Sequence, residues 1–250
     1  MYVELHARSA FSFLEGASLP EELAARSAEL DMPAMALLDR DGVYGAPRFH
    51  LAAKKVGLRA HIGAEVTVTE EAGRGGLADS QPGPRPGSQG SRWPLLVLNR
   101  TGYQNLCRLI TRLKMRAKKS EGAVAPEEVA EHAEGLVCLT GGEEGPLASA
   151  LSAGGLAAGR RAAQRLAATF GKGNVYAELQ RHLDREEEAR NQAVAAIARR
   201  LELPLVATNG VRYARPRQRE LLDALTCVRH HLRLETAGRR LAGNSERHLK

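Results

Sequence analysis

Five residues whose side chains can bind metal ions or move protons would point toward one crevice at the ends of predicted strands: His6, Glu15, Asp39, Glu65 and His182. Imidazole and carboxylate are ligand types that zinc and manganese accept. Arginines are interleaved with them, at Arg8, Arg40 and Arg212. A guanidinium stays protonated and has no lone pair to give, so these three positions cannot ligate a metal. The stretch "ALLDRDGVYGAPRFH", from Ala36 to His50, holds the contradiction in small, because Asp39 is followed at once by Arg40. The same residues also permit a structural account. A histidine at a strand end can be a hydrogen-bonded framework residue, and a single carboxylate can be a cap or an ion-pair partner.

The elements that must position them alternate. Short apolar runs predict strands over Tyr2–Leu5, Ala34–Leu38, Ala60–Thr69, Leu95–Leu98, Leu136–Thr140, Asn174–Leu179 and Leu205–Ala207. Helices are expected between them. One begins near Pro20 after Ser18, with Glu21 and Glu22 in its first turn. Another runs from about Arg160 to Phe170, with Gly171 placed to end it. A third runs from about Asp184 to Leu201, acidic at its start and basic at its end, with Val194, Ile197, Ala198 and Leu201 as its apolar stripe. This rhythm predicts an α/β fold with a mainly parallel sheet, open or closed into a barrel. In such folds the C-terminal strand ends gather on one face, where sites are built. Thr140-Gly141-Gly142, Gln180-Arg181-His182 and Thr208 to Arg212 follow later strands in the same way. Gly73 to Arg92 is dominated by Gly, Pro and Ser and reads as a surface loop between two strands.

The totals set wider bounds. At 250 residues, 43% hydrophobic and 26% charged, the chain suits one large α/β domain or two small ones. Its 36 Lys and Arg against 29 Asp and Glu give a net charge of +7, which permits contact with phosphates or nucleic acid. Cys107, Cys138 and Cys227 follow no metal-binding spacing and are expected as reduced thiols in a cytoplasmic protein. The start lacks a signal pattern, and no apolar run reaches the roughly 18 residues a membrane span needs. No internal repeat is found.

Longer stretches carry a resemblance. "YVELHARSAFSFLEGASLPEEL", "ALLDRDGVYGAPRF", "IGAE", "GYQNLCRLI", "GLVCLTGG", "VYAELQRH", "LPLVATNGVRYA" and "LLDALTCVRH" occur in order over nearly the whole chain. Together they resemble the N-terminal polymerase-and-histidinol-phosphatase (PHP) domain of bacterial C-family DNA polymerases, the alpha subunits of DNA polymerase III. The opening stretch, the "DRDGVYG" loop and the final "AGRRLAGNSERHLK" look most like the error-prone, damage-inducible branch, which serves translesion synthesis. The resemblance implies a seven-stranded, distorted (β/α) barrel. In active relatives a metal cluster at the strand ends hydrolyses phosphoesters and can proofread 3′–5′; in others the domain is a metal-free platform.

Against that family's motifs, the first reads His6-Ala7-Arg8, so one histidine survives and the second is arginine. Glu15 keeps a ligand type. Asp-His has become Asp39-Arg40. Glu65 and His182 survive, Pro94 stands where a histidine often begins the next strand, and Asp-x-His has become Gly210-Val211-Arg212. The resemblance therefore implies residual positions at His6, Glu15, Asp39, Glu65 and His182, and replaced ones at Arg8, Arg40, Gly210 and Arg212. The expectation is that the arginines pair with Glu15, Asp39 and Glu65 in place of metal, and that the domain has no cofactor. One residual zinc or manganese ion, serving a phosphoesterase or 3′–5′ exonuclease, is the alternative. A free-standing binding protein is a third reading. The PHP domain is expected over residues 1–228, with 229–250 a basic segment leading to a polymerase core beyond Lys250. No polymerase active site is expected in these residues. DNA is the expected partner through the full polymerase, with the sliding clamp and an inactive Y-family protein as further partners and no membrane. Arg229, Arg233, Arg239 and Arg240 are candidate phosphate contacts.

Overall fold

The structure, a computed structural model, describes residues 2–70, 72, 90–118 and 122–250. The expected strands are present, with shifted ends: β1 (Glu4–Ala7), β2 (Ala34–Arg40), β3 (Arg59–Val68), β4 (Ser91–Val97), β5 (Leu136–Leu139), β6 (Val175–Leu179) and β7 (Leu205–Ala207). They lie in one seven-stranded sheet in chain order. The first strand starts two residues late, so His6 lies inside it instead of following it. Most of the Gly/Pro/Ser stretch lies outside the described residues, but Ser91 and Arg92 at its end belong to β4.

The sheet holds parallel pairs, as expected, and also an antiparallel one. β1 pairs β2 in parallel and β5 pairs β6 in parallel, but β4 pairs β5 antiparallel, with Leu95 opposite Cys138 and Val97 opposite Leu136. Fully buried runs read alike in either direction, so hydrophobic pattern does not reveal strand sense.

The chain forms two compact units. The first comprises Met1–Ala64, Leu179–Asn191 and Ala207–Lys250. Here α1 (Pro20–Glu29) buries Leu23, Ala24 and Ser27, and α2 (Ala46–Lys55) buries Phe49 and Ala53. Both face a core of Ala7, Met35, Leu37 and Val211. Ser18 does not cap α1 as expected. Its hydroxyl donates to Gln218 Oε1 at 2.8 Å and accepts from the Ala214 amide, while Glu22 reaches back to the Leu19 amide. The stretch 229–250 belongs to this unit: Leu249 is fully buried in its core, and the Leu249 amide donates to the Tyr213 carbonyl at 3.1 Å.

The second unit comprises Glu65–Glu178 and Gln192–Val206. In it α3 (Arg100–Met115) buries Leu106, Leu109, Ile110 and Leu113, and its first turn is capped by Asn99, whose Oδ1 accepts from the Gly102 amide at 3.0 Å. α4 (Pro126–Glu131) follows. α5 runs from Pro146 to Phe170, longer than expected, because a break at Gly154 and Gly155 joins two helical pieces. Gly171 ends it as expected, with φ of 83°. Phe170 meets Trp93 with ring centroids 6.3 Å apart. α6 (Arg185–Leu201) has the expected polarity, and its Val194, Ile197 and Ala198 are buried. α7 (Arg219–His230) belongs to the first unit. Cys107, Cys138 and Cys227 are free thiols, and burial pushes the Cys138 thiol up. Among the described residues no helix is long and apolar enough to cross a membrane.

Candidate functional site

Four of the five residual positions, His6, Glu15, Asp39 and His182, lie in the first unit; Glu65 lies in the second. β2 ends in Asp39 and Arg40, and the loop after β1 carries Ser9, Ser12 and Glu15.

Glu15 is 4% exposed and lies among guanidiniums. Arg8 Nη1 is 3.2 Å from its Oε2, Arg229 Nη1 is 2.8 Å from its Oε1, and Arg40 Nη1 bonds the same Oε1 more closely still. Arg40 also reaches Asp41, Nε to Oδ2 at 3.4 Å. A buried carboxylate is costly unless its charge is met, and here it is met by fixed protein cations. Arg229, a candidate phosphate contact in the sequence, brings its head group to Glu15.

The fold gives Asp39 hydroxyls and an amide as hydrogen-bond donors. It accepts from the Ser9 amide at 2.8 Å, from Ser9 Oγ at 2.9 Å and from Ser12 Oγ at 2.9 Å. Ser12 Oγ in turn accepts from the Arg40 amide at 3.0 Å, which ties the loop to the end of β2. Gly45 closes over this carboxylate, and a Cβ there would lie 2.5 Å from Asp39 Oδ2.

His182 is locked through both ring nitrogens. Its Nε2 lies 2.7 Å from the Asn209 carbonyl, which can only accept, so Nε2 carries a proton. Its Nδ1 faces Glu187 Oε1 at very short range, and its backbone amide donates to Glu187 Oε2 at 2.6 Å. Burial works to raise the Glu187 carboxyl, yet the amide and ring of His182 hold it below the usual carboxylate range. Asn244 Nδ2 completes the anchor by donating to the His182 carbonyl at 2.6 Å. His6 presents Nδ1 to Gln180 Nε2 at 3.4 Å, and Gln180 Nε2 also reaches Thr208 Oγ1 at 3.3 Å. Gly210, a replaced position with φ of +52°, packs on that amide: a Cβ there would come 2.7 Å from Gln180 Nε2. Arg212 is placed by its backbone, donating to the Arg247 carbonyl at 2.9 Å and accepting from the Ala17 amide at 2.8 Å.

Sequence reasoning missed Glu4, an acid inside the first strand. It is fully buried and accepts from Tyr2 Oη at 2.7 Å, the His6 amide at 2.8 Å and the Asn209 amide at 2.9 Å. Burial pushes its carboxyl up to about 7, against those donors, which pull it down. An acid in an otherwise apolar run was the available signal.

In the second unit, Glu65 is 1% exposed, and Arg92 Nη1 is 3.9 Å from its Oε2 and 3.2 Å from Glu144 Oε2. Arg92 is a second residue the sequence did not single out. Pro94, one strand position on from Trp93, is buried within β4. Of the other basic residues named for phosphate contact, Arg233, Arg239 and Arg240 are exposed, and Arg240 Nη1 lies 2.9 Å from His230 Nδ1.

The donors present do not fit a metal cluster. Glu15 faces three guanidiniums, Asp39 accepts from Ser9 and Ser12, and His182 has a proton on one nitrogen and a carboxylate against the other. Among the described residues no group of three or more His, Cys, Asp or Glu is arranged to hold an ion.

Comparisons with known proteins agree on the family. The PHP domain model matches residues 4–182. A protein of Anaeromyxobacter sp. (strain K) named error-prone DNA polymerase is 42% identical over 259 aligned positions, covering 100% of this chain and 20% of its own length. One of the same name from Mycolicibacterium paratuberculosis is 39% identical, covering 100% of this chain and 22% of its own. The chain thus spans about a fifth of the length of these relatives. An amidohydrolase from Chromobacterium violaceum shares the fold at a TM-score of 0.52 and 13% identity, over 85% of this chain and 88% of that one. With the family motifs in order, the seven strands present and a domain match over most of the chain, the protein belongs to the PHP domain family.

Proposed function

We propose that this chain is the PHP module of an error-prone DNA polymerase used in translesion synthesis, and that it is a scaffold without hydrolytic activity. The relatives that cover the whole chain carry that name and are about five times longer, which supports a polymerase core following this region. DNA is then met through the assembled polymerase in the cytoplasm, and clamp or Y-family contacts belong to parts beyond these residues. One observation carries the scaffold reading: Arg8 and Arg40, at positions where the family's motifs place metal ligands, converge with Arg229 on buried Glu15. Arginine supplies fixed charge and a planar fork that matches a carboxylate.

Elemental analysis of the purified protein tests this. Substoichiometric zinc, manganese and iron are expected, and one or more equivalents per chain would defeat the scaffold reading. A nuclease assay with added manganese gives a second test. No activity above that of the His6→Ala and His182→Ala variants is expected; activity abolished by those changes would establish the exonuclease instead.

A further inference from the structure

The second unit gathers three arginines at one place without a carboxylate partner among the described residues. Several exposed guanidiniums elsewhere sit on a carboxylate: Arg48 on Glu21 at 2.6 Å, Arg112 on Glu131 at 2.7 Å, Arg165 on Glu70 at 2.6 Å. Arg160 of α5 and Arg199 and Arg200 of α6 instead face one open cleft of about 730 Å3. Among the described residues, none gives their guanidiniums a hydrogen bond or an ion pair. The floor between them is small and apolar, made of Ala157, Ala196 and Ile197, with no acid in the lining.

The helix dipole explains part of this. Arg199 and Arg200 are in the last turn of α6, where cations are favoured. It does not explain Arg160, which lies mid-way along the second piece of α5 and on the opposite wall. The two helices touch beside it. A Cβ at Gly159 would lie only 3.0 Å from Ile197 Cδ1, so the absence of a side chain lets α5 and α6 close together. That contact fixes Arg160 across from Arg199 and Arg200. Three like charges held at one cleft without counter-charge are suited to an anion carrying several charges. All three are arginine, whose fork fits phosphate oxygens, and the alanine floor lets a backbone approach but offers nothing to read base edges.

We propose that this cleft binds the phosphodiester backbone of DNA without regard to sequence. The choice of DNA among phosphate polymers rests on the polymerase reading above. The test is fluorescence anisotropy of a labelled 20-nucleotide oligo(dT) and of a 20-base-pair duplex, titrated with the 250-residue chain in EDTA at several NaCl concentrations. The variant is Arg160→Glu/Arg199→Glu/Arg200→Glu. The control is Arg59→Glu/Arg217→Glu, exposed arginines of the first unit. The cleft variant is expected to bind oligo(dT) at least about tenfold more weakly, with the slope of log K against log salt shallower by about two, as loss of three single-strand phosphate contacts requires. The control is expected to bind nearly as the parent does. Unchanged binding by the cleft variant, or equal weakening by the control, overturns the proposal. So does displacement of DNA by inorganic polyphosphate at equal phosphate concentration, which would make the ligand a free phosphate polymer. If the charge-reversed protein melts early by circular dichroism, Arg160→Gln/Arg199→Gln/Arg200→Gln carries the same test: weaker binding supports the cleft and unchanged binding overturns it. Metal content, which decides the scaffold reading, is measured separately and does not depend on this result.

Discussion

Glu15 is the residue on which the arginines depend. Replacing it with glutamine removes one negative partner of Arg8, itself 7% exposed, in a buried place. Glu15→Gln is expected to cost about 2–4 kcal/mol in urea denaturation, because it removes the buried negative charge on which three guanidiniums converge. Arg229→Ala should cost under about 1 kcal/mol, since its side chain is 36% exposed and water screens the pair. Equal losses from the two changes would mean that Glu15 acts through packing and not through charge. Glu4 gives a different signature. Its carboxyl rises from 4.5 to about 7 on folding, so the folded state holds the proton more tightly than the unfolded chain does. That contribution is complete below pH 4.5 and is lost as pH rises through about 7. Stability should therefore fall toward neutral pH, at up to about 1.4 kcal/mol per pH unit from this group. Glu4→Gln should flatten that slope in denaturation curves taken at pH 5, 6, 7 and 8; an unaltered slope would assign the effect elsewhere.

At the scale of elements, two glycines report on how the loops and helices are held. Gly45 lies against Asp39 with room for no side chain, so Gly45→Ala must move the carboxylate that Ser9 and Ser12 hold. A loss of about 1–3 kcal/mol is expected. Gly155 has open space around it, but its φ of 61° and ψ of −158° suit glycine alone. Gly155→Ala should cost about 1–3 kcal/mol from backbone strain although nothing is struck. Gly173→Ala, with neither clash nor positive φ, should be close to neutral in the same melting experiments. These elements also show what could be read from the chain. The strands were legible because each is a short apolar run between polar turns. The direction of β4 was not, because burial on both faces leaves no directional pattern. The first piece of α5 was missed because Gly154-Gly155 looks like a helix boundary, and here it is a break between two helical pieces. At the site, the substitutions at Arg8 and Arg40 were legible against the family motifs. Their convergence with Arg229 on one carboxylate was not, since Arg229 comes from α7, far along the chain, and only tertiary folding brings it to Glu15. The serine cradle of Asp39 was hidden for a similar reason: hydroxyls two and five residues past β1 carry no signal until the loop is seen to fold back on β2.

For the molecule as a whole, the guanidinium set makes a claim about what the fold requires. A metal-built PHP site links folding to metal concentration, because an ion that binds only the native state stabilises it by mass action. A site built from arginine has no such linkage. The melting temperature of this chain should therefore be unchanged, within about 2 °C, between EDTA and added manganese or zinc. The triple reversion Arg8→His/Arg40→His/Arg212→His removes the fixed charge and restores imidazole donors. It should melt earlier than the parent in EDTA, since Glu15 then keeps fewer cations near it. If the backbone still holds the ancestral geometry, manganese should raise the melting temperature of the reverted protein and leave the parent unmoved. A parent that melts later with manganese, or a reversion that is as stable as the parent in EDTA, would show that the arginines are passengers on a site still organised by metal. The comparison needs no enzymatic assay, and it reads the exchange of bound ion for protein charge at the level where selection would have acted, the persistence of the folded domain.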